Sequence, residues 1–130
     1  PFSISKDQIN LSYQSLYNKL DDSYNKNDFQ KIYDLLDSTQ YLSNLLEFTP
    51  SLDDSFIISF INLLYKIITI YPVRYYMTQL SAISFLNEFF TNNKRIKNLK
   101  LDWKPFYKVI KYYTLNNESF FNLFSSTISR

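Results

Sequence analysis

The chain has 130 residues and a formal net charge of +2, and its 45% hydrophobic and 19% aromatic content is too high for a disordered polar chain. Glycine is absent, so the tight turns of an all-β fold and the phosphate-cradling loops of nucleotide-binding proteins have no supporting residues. Histidine and cysteine are absent too, which excludes Ser-His-Asp and Cys-His nucleophile systems, zinc sites built on those ligands and any disulfide framework.

A first helix is predicted to start at Ser5, with Gln8 completing a capping box. Ile9, Tyr13, Leu16, Tyr17, Leu20 and Tyr24 then recur on one helical face. Asn25-Lys26-Asn27-Asp28 reads as a turn, and Phe29, Ile32, Tyr33 and Leu36 form the stripe of a second helix. That element either bends and continues to Phe48 or breaks near Ser38-Thr39, where Tyr41, Leu42, Leu45 and Leu46 restart the pattern out of phase.

Thr49-Pro50-Ser51 is the strongest break in the N-terminal half. Ser51 is the expected cap of a third helix whose first turn carries Asp53 and Asp54, both favourable at the positive helix end. From Phe56 to Ile70, apolar residues cover nearly the whole circumference, as in a helix buried between neighbours. The apolar stretch Phe56 to Tyr71 is too short and interrupted for a membrane span. Pro72 is the expected stop. A fourth helix is predicted from about Val73 to Thr91, with Tyr76, Met77, Leu80, Ile83, Leu86, Phe89 and Phe90 facing inward.

After Asn92-Asn93-Lys94-Arg95 comes a basic connection of about ten residues. Asp102 can cap a fifth helix with Pro105 in its first turn, where a missing N–H costs little. Val109, Ile110 and Tyr113 continue the stripe behind Phe106. Asn116-Asn117 ends it, and a sixth helix runs from Glu118 to about Ile128.

The expected architecture is all-α: antiparallel helix pairs, about 5–48, 53–91 and 102–128, stacked as a HEAT- or armadillo-like solenoid segment. Helix starts near Ser5, Ser51 and Asp102 lie 46 and 51 residues apart, close to the ~40–47-residue period of such units. No residue-level self-similarity accompanies that rhythm, so an irregular helical bundle is the alternative.

Residues 1–60 hold 4 basic and 9 acidic side chains, and residues 61–130 hold 10 and 3. The basic excess gathers in Lys94, Arg95, Lys97, Lys100, Lys104, Lys108 and Lys111, a possible contact surface for an acidic partner or nucleic acid. The simpler reading is a solvated helix face. The interleaved Trp103, Phe106, Tyr107 and Tyr113 are at core spacing rather than at the exposed positions of a base-stacking platform, which makes nucleic acid the weaker alternative. The paired carboxylates Asp21-Asp22 and Asp53-Asp54 fall at expected helix ends or turns, where dipole complementarity accounts for them without catalysis. No enzyme activity and no cofactor are expected.

Leu101-Asp102-Trp103-Lys104-Pro105-Phe106-Tyr107 resembles the Leu-x-Trp-x-Pro-Leu-Tyr signature of the proteasome activator subunit 4 family, with Phe106 in place of the usual leucine. The resemblance implies a non-catalytic segment of a much longer HEAT-repeat protein that caps the proteasome core particle. Such a protein promotes degradation without ubiquitin or ATP. Leu101, Trp103, Pro105 and Tyr107 would then be signature positions that shape the repeat. The family docks through a C-terminal hydrophobic-Tyr-x tail, which Thr127-Ile128-Ser129-Arg130 does not match, so no docking residue is assigned. The expected partners are the core particle, through the parent protein, and other repeats of the same chain, with no membrane. The expected location is intracellular, in nucleus and cytoplasm, in keeping with the lack of cysteine. A helical-repeat adaptor or transport-receptor segment is the alternative.

Overall fold

The computed structural model describes residues 6–37, 52–70 and 75–92, together with positions 104, 108, 109 and 111. Among the described residues, four helices carry the fold: α1 (Lys6–Asn25), α2 (Phe29–Leu36), α3 (Asp54–Ile68) and α4 (Tyr76–Asn92). No strand occurs among the described residues, and the all-helical expectation is met there. Lys104, Lys108, Val109 and Lys111 are also helical, where the fifth element was predicted.

On α1, Tyr13, Leu16 and Leu20 face the core, as the spacing predicts, with Tyr17 and Tyr24 flanking it. Ser23 is buried on the same side and satisfies its hydroxyl by donating to the Lys19 carbonyl at 2.7 Å. The ion pair between Lys26 and Asp22, 3.0 Å apart, is more than half exposed at both ends and adds little stability.

The turn out of α1 shows how a chain without glycine reverses direction. Asn27 adopts the left-handed conformation at φ 56°, a role asparagine fills better than most non-glycine residues. Its N–H donates to the Tyr24 carbonyl at 3.1 Å, and that of Asp28 reaches back to Ser23 at 2.8 Å. This hydrogen-bond pair closes a helix C-terminus in the Schellman manner. Asp28 then caps α2, its carboxylate accepting from the Lys31 N–H at 3.2 Å. Phe29, Ile32 and Leu36 bury the predicted stripe, and Tyr33 lies half-buried at its edge. The helix stops at Leu36 with Asp37 as C-cap, so it does not continue unbroken toward Phe48.

The third helix opens two residues later than the Ser51 cap would place it. Asp53, extended at φ −66° and ψ 142°, is the N-cap, and its carbonyl accepts from Ile57 N–H at 3.0 Å. Asp54 begins the helix and complements its positive end. The expected all-round burial is incomplete. Ile57, Phe60, Ile61, Leu63, Leu64, Ile67 and Ile68 are buried. Ser55, Ile58, Ser59, Asn62 and Lys66 line one exposed stripe, and the helix therefore has a solvent face. Thr69 ends it ahead of Pro72, its N–H and hydroxyl both donating to the Tyr65 carbonyl, at 3.0 and 2.8 Å.

On α4 the inward face holds Ile83 and Leu86 as expected, with Tyr76 and Leu80 packed at its edge, and departs from expectation at Met77. Thr78, Gln79, Ala82, Ile83, Phe85 and Leu86 are buried, while Tyr76 and Leu80 sit at the edge and Met77 is 51% exposed. The reading that placed Met77 inside counted apolar side chains, and two polar residues hold that face instead.

Phe60 is the centre of the core. Its ring meets Tyr13 edge-on at 6.3 Å, Tyr17 at 5.7 Å and Phe85 in a parallel stack at 5.6 Å, joining α1, α3 and α4. The largest helix interface is α3 on α4, followed by α2 on α4, α1 on α2 and a smaller α1 on α3.

Several sequence expectations lie outside the described residues. They are the Ser5 cap, the Tyr41 to Leu46 stripe, Thr49-Pro50-Ser51, Pro72, most of the fifth helix and all of the sixth. The side chains of Ile9, Phe89 and Phe90 also lie outside.

Candidate interaction surfaces

The start of α4 is fastened to two other helices by buried polar side chains. Thr78 donates its hydroxyl to the Phe29 carbonyl at 2.8 Å, tying α4 to the first turn of α2. Gln79 donates its amide to the carbonyls of Ile68, at 2.9 Å, and Ile70, at 3.0 Å. Those oxygens belong to the end of α3 and the residues after it, where helix carbonyls lack intrahelical partners. Gln79 is fully buried, so these bonds form away from water, where a missing partner is costly. The ring of Tyr75 stacks on Phe29 with centroids 4.2 Å apart, adding an aromatic contact across the same seam.

With Thr78 and Gln79 turned inward, Tyr75 and Met77 are left 37% and 51% exposed. Together with Gln30, Tyr33, Tyr76 and Thr78 they line an open groove of about 390 Å³ between α2 and α4. Gln30, Tyr33, Asp34 and Asp37 fall at three- and four-residue intervals on α2 and its cap, hence along one face. Gln30 donates its amide to the Asp34 carboxylate at 3.0 Å. The carboxylate of Asp37 raises the Tyr33 phenol above its usual value of 10.0, with desolvation, the hydrogen bond to Asp37 and the charge of Asp34 acting in the same sense. Asp34 and Asp37 thus continue the face of α2 that gives Gln30 and Tyr33 to the groove, outside the groove lining itself.

A second surface is basic. Lys104, Lys108 and Lys111 are exposed at intervals of four and three, one stripe of a helix, and Val109 is fully buried on the other side. The structure thus aligns three of the seven basic candidates. Lys94, Arg95, Lys97 and Lys100 lie outside the described residues, as do the signature positions Leu101, Trp103, Pro105 and Tyr107.

Sequence reasoning missed Thr78, Gln79 and the groove. The available signal was the polar pair interrupting the apolar run between Met77 and Leu80, and nothing local shows that distant carbonyls receive it. Among the described residues no cluster of three or more His, Cys, Asp or Glu side chains could hold a metal ion, and no helix is long and apolar enough to cross a membrane.

Comparison with protein-family models, with curated proteins and with solved structures finds no match for the chain.

Proposed function

We propose that this chain is a non-catalytic helical-repeat segment whose work is to hold protein partners. The observation that supports it best is the order of helix contacts. Each sequential pair, α1 with α2 and α3 with α4, packs as a hairpin. Between hairpins, the first helices meet each other and the second helices meet each other. Like against like is the arrangement by which solenoid repeats stack and bury a continuous core. The proteasome-cap form of this reading rests on Leu101, Trp103, Pro105 and Tyr107 alone, and no family match adds to it. An adaptor or transport-receptor segment satisfies the same geometry, and the groove on the α2–α4 seam favours a role in peptide or protein binding.

Two measurements test the reading. Purified proteasome core particle mixed with the full parent protein should hydrolyse a fluorogenic peptide faster. A folded parent that gives no acceleration removes the proteasome-cap form and leaves the general one. Binding to oligonucleotides through the lysine stripe should be weak, with Kd around 10⁻⁴–10⁻⁶ M at physiological salt. Sub-micromolar affinity for a defined oligonucleotide would replace protein binding by nucleic-acid recognition.

A further inference from the structure

We infer that the groove between α2 and α4 receives a lysine or arginine side chain from a partner peptide. The inference rests on the protein-binding reading and assigns its partner chemistry. A cationic side chain has an apolar stem and a charged head, and the groove offers complementary parts in that order. Met77 and the rings of Tyr75 and Tyr76 provide an apolar wall, with Met77 and Tyr75 open to solvent. Tyrosine faces also attract a cation through the ring quadrupole. On α2, Asp34 and Asp37 fall within one helical turn of Tyr33 on the face that gives Gln30 and Tyr33 to the groove, so that their carboxylates flank its lining. Two carboxylates there complement a guanidinium or ammonium head by charge-assisted hydrogen bonds.

Contacts within the chain hold the groove in shape. Phe29 lies under Tyr75, and Thr78, on the groove floor, is bonded to the Phe29 carbonyl. The occupant therefore meets a preformed seam, which reduces the ordering cost of binding. A volume of about 390 Å³ falls in the range of small binding sites, but the opening and the carboxylates that flank it suit a side chain on a peptide better than an enclosed neutral ligand.

The test titrates the whole chain into a fluorescein-labelled peptide of alternating arginine and alanine, with anisotropy as the readout. Controls are the same peptide with glutamine for arginine, and a labelled single-stranded oligonucleotide. The basic peptide should bind, the glutamine peptide should not, and added salt should weaken the complex. The double variant Asp34→Asn/Asp37→Asn should lose affinity at least about tenfold, the scale of one lost hydrogen bond to a charged group. Met77→Lys, at an exposed position, should weaken binding comparably by repulsion, and an unchanged melting curve would show that the fold is intact. Equal binding of the glutamine peptide, or unchanged affinity in both variants, would overturn the inference. So would the absence of any peptide binding. Proteasome activation by a parent protein carrying Asp34→Asn/Asp37→Asn separates the two readings. If activation survives while peptide binding is lost, the groove and the capping role are independent.

Discussion

The side-chain amide of Gln79 donates to the backbone carbonyl of Ile68 at 2.9 Å, so a residue in the first turn of α4 completes the last turn of α3. The bond crosses the hairpin's connection, and the same amide also serves Ile70. A fully buried glutamine in a helical core is thereby accounted for.

Gln79→Leu keeps a similar volume and removes the donor. The Ile68 and Ile70 carbonyls would lose that partner in a buried setting, and the substitution should destabilise the chain by about 1–3 kcal/mol. Denaturant unfolding followed by circular dichroism measures it. No change would mean that water replaces the amide.

Phe60→Ala should cost about 3–5 kcal/mol, because a fully buried ring touching three helices would leave a cavity. Met77→Ala should change stability by less than about 0.5 kcal/mol, as a half-exposed position away from the core. If the helix pattern expected from sequence were right and Met77 faced inward, the second substitution would be costly as well.

Asn27→Gly should hold or slightly raise stability, whereas Asn27→Ala should lower it by about 1–2 kcal/mol. The positive φ places the cost on any residue with a Cβ and no polar side chain to compensate. Thermal melts of the two variants, run beside each other, should separate in opposite directions from the parent or leave glycine level with it.

How far these features were legible in sequence depended on how local their physics is. The reversal at Asn25-Lys26-Asn27-Asp28 was readable, because the residues that close α1 and cap α2 are all within a few positions of one another. The Phe29, Ile32 and Leu36 stripe was readable for the same reason. The start of α3 was misplaced, since Ser51, Asp53 and Asp54 are all competent near a helix N-terminus and side-chain chemistry alone does not rank them. The facing of α4 was legible at Ile83 and Leu86 but misjudged at Met77. Apolar counting favours Met77 over Gln79, and only the free carbonyls of Ile68 and Ile70, set by the tertiary arrangement, reverse the choice. The groove depends on that reversal and so was not visible in the sequence.

Spectrophotometric titration should find the Tyr33 phenol ionising above the ordinary range. Asp37→Asn should bring it down, since the carboxylate's charge is the leading cause of the shift. A raised pKa in the folded chain means that the native state holds the proton more tightly. This contribution to stability is complete below the ordinary value of 10.0 and is lost as pH climbs through the folded value. A titration that leaves all tyrosines alike in both proteins would remove the Tyr33–Asp37 interaction.

The central claim is that two helical hairpins stack with α2 on α4 while α1 meets α3. Aromatic NOE spectroscopy on the intact chain tests it most directly. Cross-peaks between Phe60 and both Tyr13 and Phe85 would report α1 and α4 on α3, at ring separations of 6.3 and 5.6 Å. A strong cross-peak between Phe29 and Tyr75, 4.2 Å apart, would report α2 on α4. All three are predicted. Phe60 cross-peaks without any between Phe29 and Tyr75 would contradict the stack, and with it the groove and the repeat-segment reading built on it.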